Sequence, residues 1–114
     1  SEAPAMMRYL FEEPALPAKE EFIPKKLDAA RAAELLSLAA SLLGGCDLSD
    51  VPACEAVFRA GAEANGAKFG DLMMPLRVAV TGSRVSPPLF ESIRLVGLGK
   101  CLGRVERARG HLAQ

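Results

Sequence analysis

The residues best suited to chemistry lie between Met74 and Ile93, in the stretch MPLRVAVTGSRVSPPLFESI. An apolar run carrying Arg77 stops at Thr81-Gly82-Ser83, and Ser86-Pro87-Pro88 restarts a second apolar segment. Arginine presents a planar fork of N–H donors that suits phosphate oxygens and base edges. A serine at a helix start leaves backbone N–H groups and the positive end of the helix dipole facing an anion or a base acceptor. Pro87, Pro88, Leu89 and Phe90 add apolar surface against which an unstacked base can lie, which is how single-stranded RNA loops are read. Arg77 stands about one helical turn before Thr81, close enough to join such a site. Helix punctuation explains the same residues, and from spacing alone a capped turn is the simpler reading.

Other chemistry has little support. His111 is the only histidine and sits near the end of the chain, where a solvated side chain is expected. No histidine pair and no cysteine–histidine cluster has metal-ligand spacing, so neither a metal site nor a catalytic residue is expected. The run GLGKCLG, Gly97 to Gly103, fails both nucleotide-loop templates, with Leu102 where one needs glycine and Cys101 where the other needs Ser or Thr. It reads as a helix–helix turn. Cys46, Cys54 and Cys101 are odd in number and lack C-x-x-C spacing, which fits buried thiols in a reducing, cytoplasmic setting. Met73-Met74 reads as core filling.

The elements that must position the corner are helical. KKLDAARAAELLSLAASLL, Lys25 to Leu43, places Leu27, Ala30, Arg31, Glu34, Leu35, Leu38 and Leu42 at three- and four-residue spacing, and Gly44-Gly45 ends it. A second helix starts at SDVP, with Ser49 or Asp50 as cap and Pro52 in the first turn, and stops at Asn65-Gly66. Gly70 to Val80 contains Pro75, so it is a kinked helix or one that begins close to the proline. Its alternating valines permit a strand, but no partner strand is visible. Gly82 stops it. Ser86 then caps a fourth helix, with Pro87 at its first position and Gly97 at its end. GKCLGRVERARGHL makes a short last helix, with Leu102 and Val105 on one face and Arg104, Arg107 and Arg109 towards solvent. The expected fold is all-α, a compact domain of about five short helices over residues 25–114. Residues 1–24, with Pro14, Pro17 and Pro24, form a connector wrapping onto it.

Composition agrees. Half of the 114 residues are apolar and a quarter charged, which is globular and argues against disorder. No apolar run approaches the ~20 residues that span a bilayer, so no membrane partner is expected. The chain opens on Ser1, as expected of a processed form or an excised fragment. Its zero net charge is split. Residues 1–58 hold five Lys/Arg against ten Asp/Glu (−5), and residues 59–114 hold nine against four (+5). Either the basic half faces an anionic partner or the two halves pack against each other.

A resemblance separates these readings. PLRVAVTGSRVSPPLFESIRLVG followed by CLGRVERARGHL resembles the C-terminal end of bacterial-type glutamyl-tRNA synthetases. That family ends with a PLR-x-A-x-TG segment, a small residue and proline before Leu-Phe, a Leu-Gly turn and an Arg-rich last helix. The likeness is dense from Lys68 to Leu112, and YLF with the acidic, proline-containing stretch after it extends the likeness more loosely upstream. It implies a helical anticodon-binding domain in which Arg77, Ser86, Pro87 and Leu89 meet the first and second anticodon bases. Arg84, Arg94, Arg104 and Arg107 are then candidates for the tRNA backbone. Ser86 stands where threonine occurs in the family and keeps the hydroxyl, whereas Pro88 stands where glycine is common and lacks an N–H. The implied partners are the anticodon loop of glutamate tRNA and the catalytic domain of the same parent chain, and a monomer is expected. The parent would be a class I aminoacyl-tRNA synthetase, a glutamate–tRNA ligase, with ATP and magnesium bound elsewhere and no cofactor here. The HIGH- and KMSKS-type signatures are absent, so no catalysis is expected of this chain. The competing reading is a protein-interaction domain that docks a partner through Leu89-Phe90 without RNA.

Overall fold

Alanine- and leucine-rich segments broken by glycine and asparagine give five α-helices in a computed structural model that describes residues 5–114, with only the backbone of Ala5 and Met6. They are α1 (Ala29–Leu43), α2 (Val51–Ala64), α3 (Phe69–Thr81), α4 (Leu89–Val96) and α5 (Leu98–Leu112), preceded by 3-10 turns at Ala5–Leu10 and Lys19–Phe22. The fold is all-α, with no strand among the described residues.

The helix boundaries have local causes. Helix α1 starts at Ala29, after the expected Lys25, because Pro24 to Leu27 form a turn closed by Leu27 N–H to the Pro24 carbonyl at 3.0 Å. Asp28 is the cap, its carboxylate accepting from Arg31 N–H at 2.8 Å. The buried stripe is Ala32, Leu35, Leu36, Ala39 and Leu43, which shares only Leu35 with the expected series, since Arg31 and Glu34 pair at the surface at 3.3 Å. Asp50 caps α2 by accepting from Ala53 N–H at 3.1 Å, with Pro52 in the first turn. A Cβ on Gly61 would lie 2.6 Å from Leu42 Cδ1, so the Leu42 side chain of α1 packs directly over the bare backbone of α2 at this glycine.

Helix α3 is the central element, packing against α1, α2 and α5. It begins six residues before Pro75 and carries the proline in its interior, so of the two expected forms the helix that contains the proline is the one found, and the start close to it is not. Pro75 is fully buried, so packing from three sides offsets the missing backbone hydrogen bond. Gly82 ends α3 with φ 80°, and its N–H bonds the Val78 carbonyl at 2.8 Å. The last helix is not short: α5 runs 15 residues and buries Cys101, Arg104, Val105, Ala108 and Leu112.

The leading segment contributes to the core. Tyr9 and Phe22 are buried, and the Tyr9 hydroxyl meets Ser92 Oγ at 2.6 Å. His111 is half-buried rather than solvated; its Nε2 donates to the Pro17 carbonyl at 2.9 Å and its ring packs edge-on to Phe22.

Candidate nucleic-acid interface

The corner after α3 is built from side chains that bond one another. Arg77, half-buried, donates from Nη1 to Ser86 Oγ at 2.8 Å and reaches the Pro87 carbonyl at 3.5 Å. Ser86 Oγ donates in turn to the Pro87 carbonyl at 2.8 Å. Thr81 Oγ1 lies 2.8 Å from the Arg77 carbonyl and accepts from Ser83 N–H at 3.3 Å, tying the turn to the helix that carries the arginine. The structure thus brings Arg77, Ser86 and Pro87 together.

Ser86 is not the cap of α4, however. The helix starts two residues later than expected, with Pro88 in the cap position and no side-chain cap bond, because Ser86 Oγ is engaged by Arg77 and Pro87. Leu89 is 4% exposed and lines a groove of about 430 Å³ between α2, α3 and the start of α4. Arg59, Phe69, Met74, Arg77 and Phe90 line it too. The Arg59 guanidinium lies 4.0 Å from the centroid of the Phe69 ring. This flat cationic surface was not among the residues singled out from the sequence. Arg59 and Phe69 are ten residues apart on either side of a turn, and only their packing makes the pair. Leu89 and Phe90, each 4% exposed, are core residues and present no docking face of their own.

The other predicted arginines lie elsewhere. Arg84 is exposed, but its guanidinium bonds the carbonyls of Glu20, Glu21 and Ile23 at 2.9–3.3 Å. Arg104, expected in solvent, is 3% exposed. It bonds Val80 O at 2.6 Å, Tyr9 O at 2.9 Å and Glu13 Oε1 at 2.8 Å. Arg107 joins the same carboxylate at 2.7 Å and also the Pro14 carbonyl. The hydrogen bond from Arg104 holds the Glu13 carboxyl below its usual range against the opposing effect of desolvation, with Arg107 adding to it. Arg94 is exposed on α4, outside every ion pair found among the described residues. Three arginines of the basic second half, Arg84, Arg104 and Arg107, are therefore engaged inside the molecule by the leading segment.

Cys46 and Cys101 are not poised for nucleophilic work. Burial pushes Cys46, next to Cys54, and Cys101 up to about 11, far from a thiolate at neutral pH. Among the described residues no three His, Cys, Asp or Glu side chains group as a metal site, and no helix is long and apolar enough to cross a membrane.

Known proteins resemble this chain over nearly its whole length. The chain is 50% identical over 108 residues to a glutamate–tRNA ligase of Treponema denticola, covering 95% of this chain and 21% of that protein. Identity is 39% over 111 residues with the glutamate–tRNA ligase of a Roseiflexus strain, covering 97% of this chain and 22% of that one. It is 33% over 112 residues with that of Borreliella burgdorferi, covering 98% and 23%. The chain thus spans about a fifth of the length of these relatives. A crystal structure of a glutamate tRNA ligase from Elizabethkingia meningosepticum superimposes with TM-score 0.71 over 92% of this chain and 20% of that one; at 21% identity this likeness is one of fold. The profile of the anticodon binding domain family matches residues 1–109. The chain therefore belongs to the anticodon binding domain family.

Proposed function

We propose that this chain is the C-terminal, anticodon-reading part of a glutamate–tRNA ligase, and that the corner of Arg77, Ser86 and Pro87 receives unstacked anticodon bases over the groove that Leu89 lines. The observation that carries the reading is the arrangement of Arg77. One nitrogen of its guanidinium is held by Ser86 Oγ at 2.8 Å, and the plane borders a groove with a second arginine stacked on Phe69. A fork fixed at one end offers its other donors to a base edge in a set direction, and aromatic or guanidinium planes hold the base. The parent enzyme would attach glutamate to its tRNA with ATP and magnesium bound on the catalytic domain of the same parent chain, in the cytoplasm. This part would supply recognition and no catalytic residue.

Of the arginines assigned to the tRNA backbone, Arg94 keeps that role. Arg84, Arg104 and Arg107 direct their donors at protein carbonyls and carboxylates, so we assign them to holding the leading segment. The test is a fluorescence titration at low salt with glutamate tRNA and with the same tRNA changed at its second anticodon base. Tighter binding of the natural anticodon is expected. Equal binding would reduce the corner to a site of phosphate attraction.

A further inference from the structure

A second cationic feature lies at the start of α3. Lys25, Lys26, Arg31 and Lys68 line a hollow of about 280 Å³ between the approach to α1 and the α2–α3 turn, with Asp71 as its one carboxylate. Arg31 is committed to the Asn65 carbonyl at 2.7 Å and to Glu34. The three lysines are exposed and take no part in the ion pairs found among the described residues.

The backbone there points the same way. Lys26 has φ 72° and is the only non-glycine residue with positive φ among the described residues. It occupies the third position of the turn from Pro24 to Leu27, where positive φ favours glycine. A lysine held in a conformation that suits glycine, at the rim of a cationic hollow, is the kind of local strain that accompanies function. The hollow and the groove draw on the same turn of chain: Phe69 and Gly70 line the groove, and the residues on either side of them, Lys68 and Asp71, line the hollow.

We infer that this hollow grips the phosphodiester backbone of the RNA whose bases enter the groove, an inference that rests on the RNA-binding reading above. Lysine ammoniums act as point charges on phosphate; they fix the strand's position and carry no base information. Charge complementarity favours this occupant, with three unpaired ammoniums facing one carboxylate.

The test titrates the chain with glutamate tRNA, natural and second-base-changed, over a series of salt concentrations. Each lost contact to a single strand lowers the slope of log K against log salt by about 0.7. The triple variant Lys25→Gln, Lys26→Gln, Lys68→Gln is expected to lower it by about 2, leaving the preference between the two tRNAs unchanged. Lys100→Gln, an exposed charge on α5, serves as control and leaves the slope nearly intact. Lys26→Gly separates binding from folding: it raises Tm by relieving the positive φ, yet weakens RNA binding. An unchanged slope in a folded triple variant, or an equal fall with Lys100→Gln, overturns the inference. A wild-type chain with no preference between the two tRNAs counts against the corner rather than the hollow, because the slope can be read on either tRNA. No binding to either overturns both.

Discussion

Arg77 and Arg104 occupy opposite ends of the same structural problem. Arg104 is 3% exposed, and its guanidinium is consumed by Val80, Tyr9, Glu12 and Glu13. Arg77 is half-buried, bonded at one nitrogen to Ser86 and Pro87, and borders an open groove. The first holds the chain from residues 9 to 13 against α3 and α5, and the second is left able to meet something outside the protein. The difference teaches that an arginine's role is set by how many of its donors the fold has already satisfied, a property of packing rather than of composition.

The comparison breaks most sharply at Arg104. Arg104→Ala orphans the Val80 and Tyr9 carbonyls and frees Glu13, so a loss of about 3–5 kcal/mol is expected in denaturant unfolding. Gly82→Ala comes next. It forces a side chain onto φ 80° and puts a Cβ 2.8 Å from Pro14 Cβ, where the leading segment crosses the corner. About 1–3 kcal/mol is expected. Arg77→Ala should cost stability by no more than about 1 kcal/mol, since it removes a partly solvated bond to Ser86. Tm would show it.

The smallest effect is on pH. Glu13 has its carboxyl pKa lowered in the folded state by Arg104, so its contribution is present above the ordinary carboxylate range and is lost as pH falls through the lowered folded value. Acid unfolding of Glu13→Gln should therefore lack part of the wild-type loss of stability below that range. An identical pH profile in the two proteins would show that the Arg104–Glu13 pair adds nothing.

What was legible in the sequence is what local rules govern. Asp50 and Pro52 announced the start of α2, Gly82 the end of α3, and the TGSRVSPPLF run carried the family resemblance. The Ser86 cap was misplaced because a hydroxyl that normally caps was instead bonded to Arg77, nine residues earlier in the chain. Pro75 inside α3 defied a local rule, since burial on several sides sustains the helix. Arg104 was assigned to solvent because its partners lie 91 to 95 residues away or on another helix, beyond any helical periodicity. The Arg59–Phe69 stack likewise arises from how α2 and α3 turn against each other. The charge split was visible, but the basic arginines that meet the acidic connector could be named only once both were placed.

The most direct test of the difference between the two arginines is anticodon discrimination in Arg77→Ala. The ratio of affinities for glutamate tRNA and its second-base variant should fall by a factor corresponding to about 1–3 kcal/mol, with Tm lowered by no more than the lost Ser86 bond accounts for. A ratio equal to that of the wild type in a folded Arg77→Ala protein would contradict the account and make Arg77, like Arg104, a residue that only holds the fold.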